Sequence, residues 1–254
     1  GMALGLPAVT DTWQKLGVPK DQLHPVPAML LGALNLTPVE VAQAFQTIAS
    51  GGNRAQLSAL RSVIAEDGTA LYQSFPQAER AEPAQAAYLT LYSMQQVAAR
   101  GTARALGAKF PSANLAAKTG TTNNQVDSWF AGIDGKEVAI TWIGRDNNQT
   151  TKLYGSSGAM QIYRQYLENQ APMPLSLTPP EDIAAMSVDS AGNFVCDSGS
   201  SNWRTLPVWT TDGNALCQQQ QQQVEQQQQQ EQQQQQEQKD SDGVAGWIKD
   251  MFGK

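Results

Sequence analysis

The sequence predicts an α+β fold in which helices pack on an antiparallel sheet. Three observations favour it: two amphipathic helical patterns, two Asp-Gly pairs that lie between strand-like segments, and a third helical pattern after the second pair. Antiparallel strands with helices packed against them are typical of this class. A chain of 254 residues, of which 41% are hydrophobic, is long enough for one sizeable domain with extensions.

The first two helical patterns carry their own start and stop signals. In LTPVEVAQAFQTIASGG, Thr37 is placed as N-cap and Pro38 at the first helical position. Glu40 completes a capping box, and Gly51 stops the helix. The second pattern, PAQAAYLTLYSMQQVAARG, begins after Pro83, and its apolar residues recur at helical spacing. We expect both helices to bury one face in the core.

Two hairpins are indicated by Asp67-Gly68 and Asp134-Gly135, because an Asp-Gly pair between strand-like segments is the strongest short-range hairpin signal. In the second hairpin the returning strand is apolar on both faces. Its residues on one face and then the other are Val138, Ile140 and Trp142, and Ala139, Thr141 and Ile143. We therefore expect this strand to be covered on each side, inside the sheet.

The third helical pattern is GSSGAMQIYRQYLEN, with Ser156 or Ser157 as the expected N-cap. Met160, Tyr163 and Tyr166 recur at helical spacing. We expect this helix to pack on the sheet.

The segment AAKTGTTNNQVDSWFAGI, residues 116–133, opens with a strand of unusual composition. Lys118, Thr119, Gly120 and Thr121 are polar or small, whereas strands favour bulky β-branched and aromatic residues. Because residues 126–133 follow directly, we expect them to pair with this strand and to leave its other edge free for an extended peptide. Gly120 would let the ligand backbone approach, the threonine hydroxyls would bind a carboxylate, and Lys118 would attract it.

Composition excludes several kinds of function. A net charge of −6 without a basic cluster argues against nucleic acid as a partner, so peptides or small molecules are the expected ligands. Two cysteines and the distant His24 cannot complete a structural zinc site, and we expect neither a metal nor a cofactor. A phosphate-binding loop is excluded too, because its lysine follows the glycine, whereas Gly120 follows Lys118.

Cys196 and Cys217 are the only cysteines, and they lie in a loop-rich stretch. Two interpretations stay open: free thiols, or a disulfide that closes a loop of about 20 residues and contributes about 3 kcal/mol in an oxidising compartment. We favour the disulfide.

After Cys217 the chain becomes a glutamine tract with no apolar surface to offset the entropy of ordering, so we expect it to be disordered. The final segment, DSDGVAGWIKDMFGK, places Val244, Trp247, Ile248 and Met251 on one helical face. It is interpreted either as a frayed tail or as a short helix that docks on a partner or a membrane surface.

K-T-G on a strand is, together with S-x-x-K and S-D-N, a signature of β-lactamases and penicillin-binding proteins. The similarity extends in order and spacing through KTGTTNNQVDSWFAGIDG, TWIGRDNN and LYGSSGAM, and upstream through MLLGALNLTPVEVAQAFQTIASGG. The chain thus resembles the C-terminal part of a class A penicillin-binding protein. The resemblance implies an incomplete penicillin-binding protein/β-lactamase-like transpeptidase fold in residues 1–172, a small extension in 173–217, a linker in 218–242 and an amphipathic segment in 243–254.

In that family the serine of S-x-x-K attacks a D-Ala-D-Ala stem peptide of peptidoglycan and forms an acyl-enzyme that is stabilised by a backbone oxyanion hole. The acyl group then passes to an amine of a neighbouring strand, and β-lactams bind at the same site. By resemblance, Lys118 orients the polar network and attracts the substrate carboxylate, Thr119 and Thr121 offer hydroxyls to it, and the N–H of Thr121 is an oxyanion donor.

The sequence departs from the family pattern because it contains no S-x-x-K. The triplet Ser112-Ala113-Asn114 lies too close to Lys118 to be the family's S-x-N, and we interpret Ser112 as a turn residue. We therefore expect the nucleophile to lie upstream and this chain alone to be inactive.

The resemblance further implies a periplasmic location, an inner-membrane anchor and a glycosyltransferase domain in an upstream part, and activator lipoproteins as partners. Alternatives are a D,D-carboxypeptidase or β-lactamase-like hydrolase, or a non-catalytic interaction module that uses the free strand edge and the glutamine tract.

Overall fold

The computed structural model describes residues 1–196 and 203–252. The chain divides into two units, Gly1–Glu181 and Asp182–Lys254. Unit 1 contains α1 (Leu6–Lys15), α2 (Pro38–Ala49), β1 (Asn53–Ala55), β2 (Ser62–Ile64), β3 (Ala70–Gln73), β4 (Ala78–Arg80), α3 (Ala84–Arg100), α4 (Arg104–Lys109), β5 (Ala116–Thr121), β6 (Ser128–Ile133), β7 (Val138–Ile143) and α5 (Ala159–Asn169). Unit 2 contains β8 (Ile183–Asp189), β9 (Trp203–Trp209) and α6 (Gly213–Phe252).

The central feature of unit 1 is the antiparallel sheet β5-β6-β7. The expected pairing of the Lys118 strand with the residues that follow it is confirmed, with Lys118 opposite Ala131 and Thr121 opposite Ser128. Both Asp-Gly hairpins are also present, joining β2 to β3 and β6 to β7. The predicted α+β class, with helices on an antiparallel sheet, is therefore confirmed.

The expectation that the second hairpin lies inside the sheet is wrong in one respect. Strand β7 is at the edge of the three-stranded sheet, and the Trp142 side chain is 44% exposed. Strand β7 is nevertheless contacted by both α2 and α5. The apolar residues on both faces of β7 reflect these two helices, since side-chain alternation reports on what covers a strand's faces and not on what pairs with its edges.

Helices pack on both faces of the sheet and form one apolar cluster on each face. On one face, Tyr163 and Leu167 of α5 pack with Phe130 of β6. On the other, Leu91 of α3 packs with Ile133. Burial raises the pKa of the Tyr163 hydroxyl, so this group stays protonated. Each fully buried side chain of this size contributes roughly 1.5–3 kcal/mol through removal from water.

Local signals account for the start of α2 but not for the start of α5. The Glu40 N–H donates to Thr37 Oγ1 over 3.3 Å, and the Thr37 N–H donates to Glu40 Oε2 over 2.7 Å, which confirms the capping box. Helix α5 has Gly158 as N-cap, so the expectation of Ser156 or Ser157 is wrong. Ser157 Oγ instead accepts from the Tyr154 N–H within the preceding turn, over 3.0 Å.

Unit 2 is a two-stranded ribbon followed by one helix. A disulfide joins Cys196 to Cys217, with Cα atoms 5.8 Å apart. The Gln220 side-chain amide bonds both backbone groups of Phe194, over 2.7 Å to its N–H and 3.0 Å to its carbonyl. The disulfide and this amide tie the first turns of α6 to the loop that follows β8.

The glutamine tract, expected to be a disordered linker, is helical in the structure as part of α6. Asp212 Oδ1 caps the start of this helix by accepting from the Asn214 and Ala215 N–H groups. Glutamine is a good helix former, and residues 218–242 contain neither Gly nor Pro. The tract therefore lacks helix-breaking residues, and a helix that begins before it can continue through it. Of the predicted amphipathic segment, residues 243–254, residues 243–252 form the end of this helix, and the side chains of the segment lie outside the described part.

Among the described residues, none of the helices is both long and apolar enough to cross a membrane.

Candidate active site

The K-T-G-T strand leaves the core as it proceeds. Ala116 and Ala117 at its start are fully buried, whereas Lys118 and Thr121 are exposed. The small alanines let helices pack closely on both faces, and this fixes the strand at its inner end. The sequence therefore anchors one end of β5 and presents the polar end at the surface.

The backbone of β5 offers hydrogen-bonding groups to a ligand. Within the described residues no strand pairs with its outer edge. Thr122 donates its N–H to the Asp127 carbonyl over 3.2 Å, toward β6. Because N–H groups alternate in direction along an antiparallel strand, those of Thr119 and Thr121 point to the unpaired edge. An extended peptide can use these groups as one more strand.

Lys118 already lies along this edge. Its Nζ atom donates to the Thr119 carbonyl over 2.7 Å. Within the part of the chain whose side chains are described, Lys118 takes part in no ion pair. The ammonium group is thus available to an anionic ligand, and a ligand N–H that paired with Thr119 would replace it there.

The two threonines of the motif share one face of β5 but have different partners. Thr119 Oγ1 lies 2.8 Å from Thr102 Oγ1, at the approach to α4. Thr121 Oγ1 accepts the N–H of Gly155 over 3.0 Å, so its oxygen is engaged by the turn before α5. A hydroxyl that accepts through its oxygen can still donate its hydrogen.

The glycine of the motif lies where backbones approach closely, but the approaching backbone belongs to this chain. A Cβ at Gly155 would come within 2.7 Å of the Gly120 carbonyl oxygen, and a Cβ at Gly120 would lie 3.0 Å from the Trp129 Cβ. The approach of a ligand backbone to Gly120 stays a prediction. In the described residues, the turn at Gly155 makes the close approach.

The turn between β5 and β6 is held by side chains that no sequence pattern indicated. Asp127 accepts from Thr122 Oγ1 and from Trp142 Nε1, each over 3.0 Å. Asn124 and Gln125 in this turn have left-handed backbone conformations, each with a φ of 56°. Asp127 thereby joins the end of the candidate site to β7. No local sequence pattern around Asp127 indicates its contact with Trp142, because the two residues are 15 positions apart.

Ser112 occupies a one-turn 3₁₀ helix, Pro111–Ala113, and is exposed; Asn114, which follows, has a φ of 48°. The interpretation of Ser112 as a turn residue is confirmed.

A sheet with α5 on one face, a K-T-G-T strand at its edge, and a free hydrogen-bonding edge are the features of a penicillin-binding transpeptidase domain. The family model described as the penicillin-binding protein transpeptidase domain matches residues 14–168. The chain belongs to this family. A second model, described as the C-terminal domain of penicillin-binding protein 1B, matches residues 182–221, within unit 2.

Individual relatives agree with this assignment. The chain is 74% identical over 265 residues to penicillin-binding protein 1B of Escherichia coli strain K12, covering 100% of this chain and 31% of the relative. It is 48% identical over 209 residues to penicillin-binding protein 1B of Vibrio cholerae, covering 82% and 27%. The chain thus spans about a third or less of the length of these relatives.

Solved structures show the same fold. Penicillin-binding protein 1A of Haemophilus influenzae matches with a TM-score of 0.72 at 20% identity, covering 81% of this chain and 36% of that one. PonA1 of Mycobacterium tuberculosis matches with a TM-score of 0.57 at 19% identity, covering 68% and 52%.

Proposed function

We propose that the full-length protein carrying this chain is a class A peptidoglycan synthase, and that unit 1 contributes the K-T-G-T strand to its D,D-transpeptidase site. The observation that carries the proposal is the exposed edge of β5, with the Thr119 and Thr121 N–H groups and the Lys118 ammonium on it, inside the region that matches the family model. The substrate is a D-Ala-D-Ala stem peptide, and β-lactams compete for the same edge.

Each residue of the strand has a separate part in the proposed reaction. The stem peptide pairs with the free edge as an added strand, and its terminal carboxylate is attracted by Lys118 and accepts from the Thr119 hydroxyl. The N–H of Thr121 donates to the oxyanion that forms when the nucleophile attacks the carbonyl. This charge arises only in the transition state, so the contact accelerates the chemical step rather than binding alone.

The nucleophilic serine, its lysine and the S-x-N of this reaction are proposed to come from outside these 254 residues, since the sequence contains no S-x-x-K and the relatives are about three times longer. The proposed setting follows from the same relatives: a periplasmic enzyme anchored in the inner membrane, with a glycosyltransferase domain and activator lipoproteins as partners.

Covalent labelling with fluorescent penicillin tests the proposal. The chain alone should form no adduct, and the full-length protein should acylate. Lys118→Ala in the full-length protein should lower the stabilisation measured by acylation efficiency by about 2 kcal/mol, as loss of a charged hydrogen-bond partner does. Lys20→Ala is the matched control, because Lys20 is exposed on a separate turn and should leave acylation unchanged. A full-length protein that does not acylate contradicts the proposal, and acylation of the chain alone contradicts the position of the nucleophile.

Transfer to an amine distinguishes the proposed activity from a D,D-carboxypeptidase. With a stem-peptide amine present, a transpeptidase forms a cross-linked product as it releases D-alanine. Release of D-alanine without any cross-link would identify water as the acceptor.

A further inference from the structure

Ser128 is a fully buried polar residue whose hydroxyl joins the sheet to the turn before α5. Its exposed fraction is 0%. The Oγ atom donates to the Tyr154 carbonyl over 2.9 Å and accepts from the Ala159 N–H over 2.9 Å. Ser128 lies directly opposite Thr121 in the β5-β6 register. The hydroxyl therefore bonds the first residue of the Tyr154–Gly158 turn and the residue directly after it, next to the exposed end of the K-T-G-T strand.

The turn itself is closed by hydrogen bonds of its own. The Gly158 N–H donates to the Tyr154 carbonyl over 2.8 Å, and the Met160 N–H donates to the Gly155 carbonyl over 2.9 Å. These bonds make the turn continuous with α5, whose Met160 and Tyr163 are buried in the core. The turn is therefore an extension of α5, and the Ser128 hydroxyl sets its position against β6.

This turn packs on the face of β5 that carries the Thr121 side chain. Gly155 is buried, it donates its N–H to Thr121 Oγ1 over 3.0 Å, and it lies against the Gly120 backbone so closely that a Cβ there would clash. Among the described residues β5 has a paired strand on one side only, so its exposed end depends on such contacts to stay in place. A series of contacts therefore runs from the buried Ser128 through Gly155 to Thr121.

We infer that Ser128 and the Tyr154–Gly158 turn are positioning residues that fix the Thr121 N–H where the oxyanion forms. The inference rests on the proposed function. An oxyanion donor acts only when it lies about 2.7–3.1 Å from the developing charge, and catalytic groups must be held to within about 0.5 Å. Without the Ser128 hydroxyl, Tyr154 and Ala159 lose their hydrogen bonds to Ser128 of β6, and the Gly155 contact that supports the Thr121 N–H is held less firmly.

The test uses Ser128→Ala in the full-length protein, with penicillin as the probe. The dependence of acylation on penicillin concentration gives a dissociation constant for the non-covalent complex and a rate constant for acylation. The rate constant should fall at least about tenfold, as a small misplacement of a catalytic group does. The dissociation constant should stay within a factor of about two, since Lys118 and Thr119 keep their positions at the strand edge.

Thr47→Ala is the matched control. Thr47 is also fully buried, and its hydroxyl donates to the Leu16 and Gln43 carbonyls over 3.0 and 3.2 Å, on helix α2 and away from β5. Both variants delete one buried hydroxyl, so their melting temperatures should fall alike, but only Ser128→Ala should slow acylation. Ser128→Thr keeps the hydroxyl and should restore the rate constant to within about threefold of the wild type.

Thr121→Val tests the same link at the surface and does not depend on a buried change. It removes the oxygen that accepts from Gly155 and the hydroxyl offered to the carboxylate, but keeps the Thr121 N–H, so the acylation rate constant should fall and the dissociation constant should rise. A rise in the dissociation constant with an unchanged acylation rate constant would mean that this hydroxyl only binds the carboxylate and does not position the N–H, which overturns the inference. So would wild-type acylation by Ser128→Ala, or an equal loss in Thr47→Ala. A wild-type protein that is not acylated at all counts against the proposed function instead.

Discussion

The two units are stabilised in different ways. Unit 1 covers both faces of its sheet with helices and buries large side chains such as Phe130, Ile133 and Tyr163. In the described part of unit 2, Val188 is the one buried apolar residue, and a disulfide joins the loop after β8 to α6. A two-stranded ribbon is at best marginally stable alone. Unit 1 is therefore held mainly by packing, and unit 2 depends on its covalent link.

Phe130→Ala should give the largest effect and should be confined to unit 1. Phe130 is 1% exposed and packs with its ring centre 5.4 Å from that of Tyr163. Its truncation should lower the free energy of unfolding by about 3–5 kcal/mol, measured by urea denaturation. Ile162→Ala, on the outer face of α5 where the residue is 45% exposed, should change it by no more than about 0.5 kcal/mol. Similar losses in the two variants would mean that unit 1 is not stabilised by this core.

Reduction of the disulfide should affect unit 2 alone. Releasing the Cys196–Cys217 link should lower the stability of that unit by about 3 kcal/mol, because the unfolded chain regains the freedom of a loop of about 20 residues. Hydrogen exchange should then accelerate in β8 and β9 and stay unchanged in β5 and β6.

A double variant, Cys196→Ala with Cys217→Ala, is the control, since reductant should no longer alter its exchange. Mass spectrometry without reductant should also find the two cysteine peptides linked in periplasmic material. Two freely alkylated thiols in that material, or equal acceleration in both units, would contradict the comparison.

Thr37→Ala should give a smaller loss in unit 1, because it removes the capping box of α2 but no packed side chain. The expected decrease in the free energy of unfolding is about 1 kcal/mol. Thr37→Ser keeps the hydroxyl that accepts from Glu40 and should stay close to the wild type. A loss from Thr37→Ala as large as that from Phe130→Ala would show that local capping, rather than core packing, dominates this unit.

The sequence predicted those parts of the structure that short-range signals control. The capping box at Thr37, the two Asp-Gly hairpins and the pairing of the Lys118 strand with β6 all depend on residues close together in the chain. The expected free edge was deduced from the same proximity. The pairing of residues 116–121 with β6 could therefore be predicted from the sequence, whereas their part in a site stays a prediction.

The features that could not be predicted depend on residues far apart in sequence. Ser128 satisfies the start of α5 from 31 positions away, so no local pattern favoured it over Ser156 or Ser157. Gly155 reaches Thr121 from 34 positions away. The edge position of β7 likewise depends on which strands pair with one another, and the side chains of β7 do not indicate this pairing.

Deletion of residues 243–254 should give the smallest effect on stability. The helix α6 that precedes this segment is exposed on all sides from Gln221 to residue 234. A helix that is polar all round gains nothing from packing, and isolated helices are marginal in water. The melting temperature of the full-length protein should therefore not change, while its binding to membrane vesicles or to the lipoproteins proposed as partners should weaken if the segment docks there.

Circular dichroism of the same deletion distinguishes three explanations of the terminal segment, because each predicts a different change in helix content or melting temperature. If the glutamine tract is helical without support, the shortened chain should lose only the ellipticity of the deleted turns. A larger loss would mean that the terminal segment stabilises the helix, and a lower melting temperature would mean that it packs on the domain. Unchanged binding would show that the segment is a frayed tail, since a segment that orders only on a partner must cost affinity when it is removed.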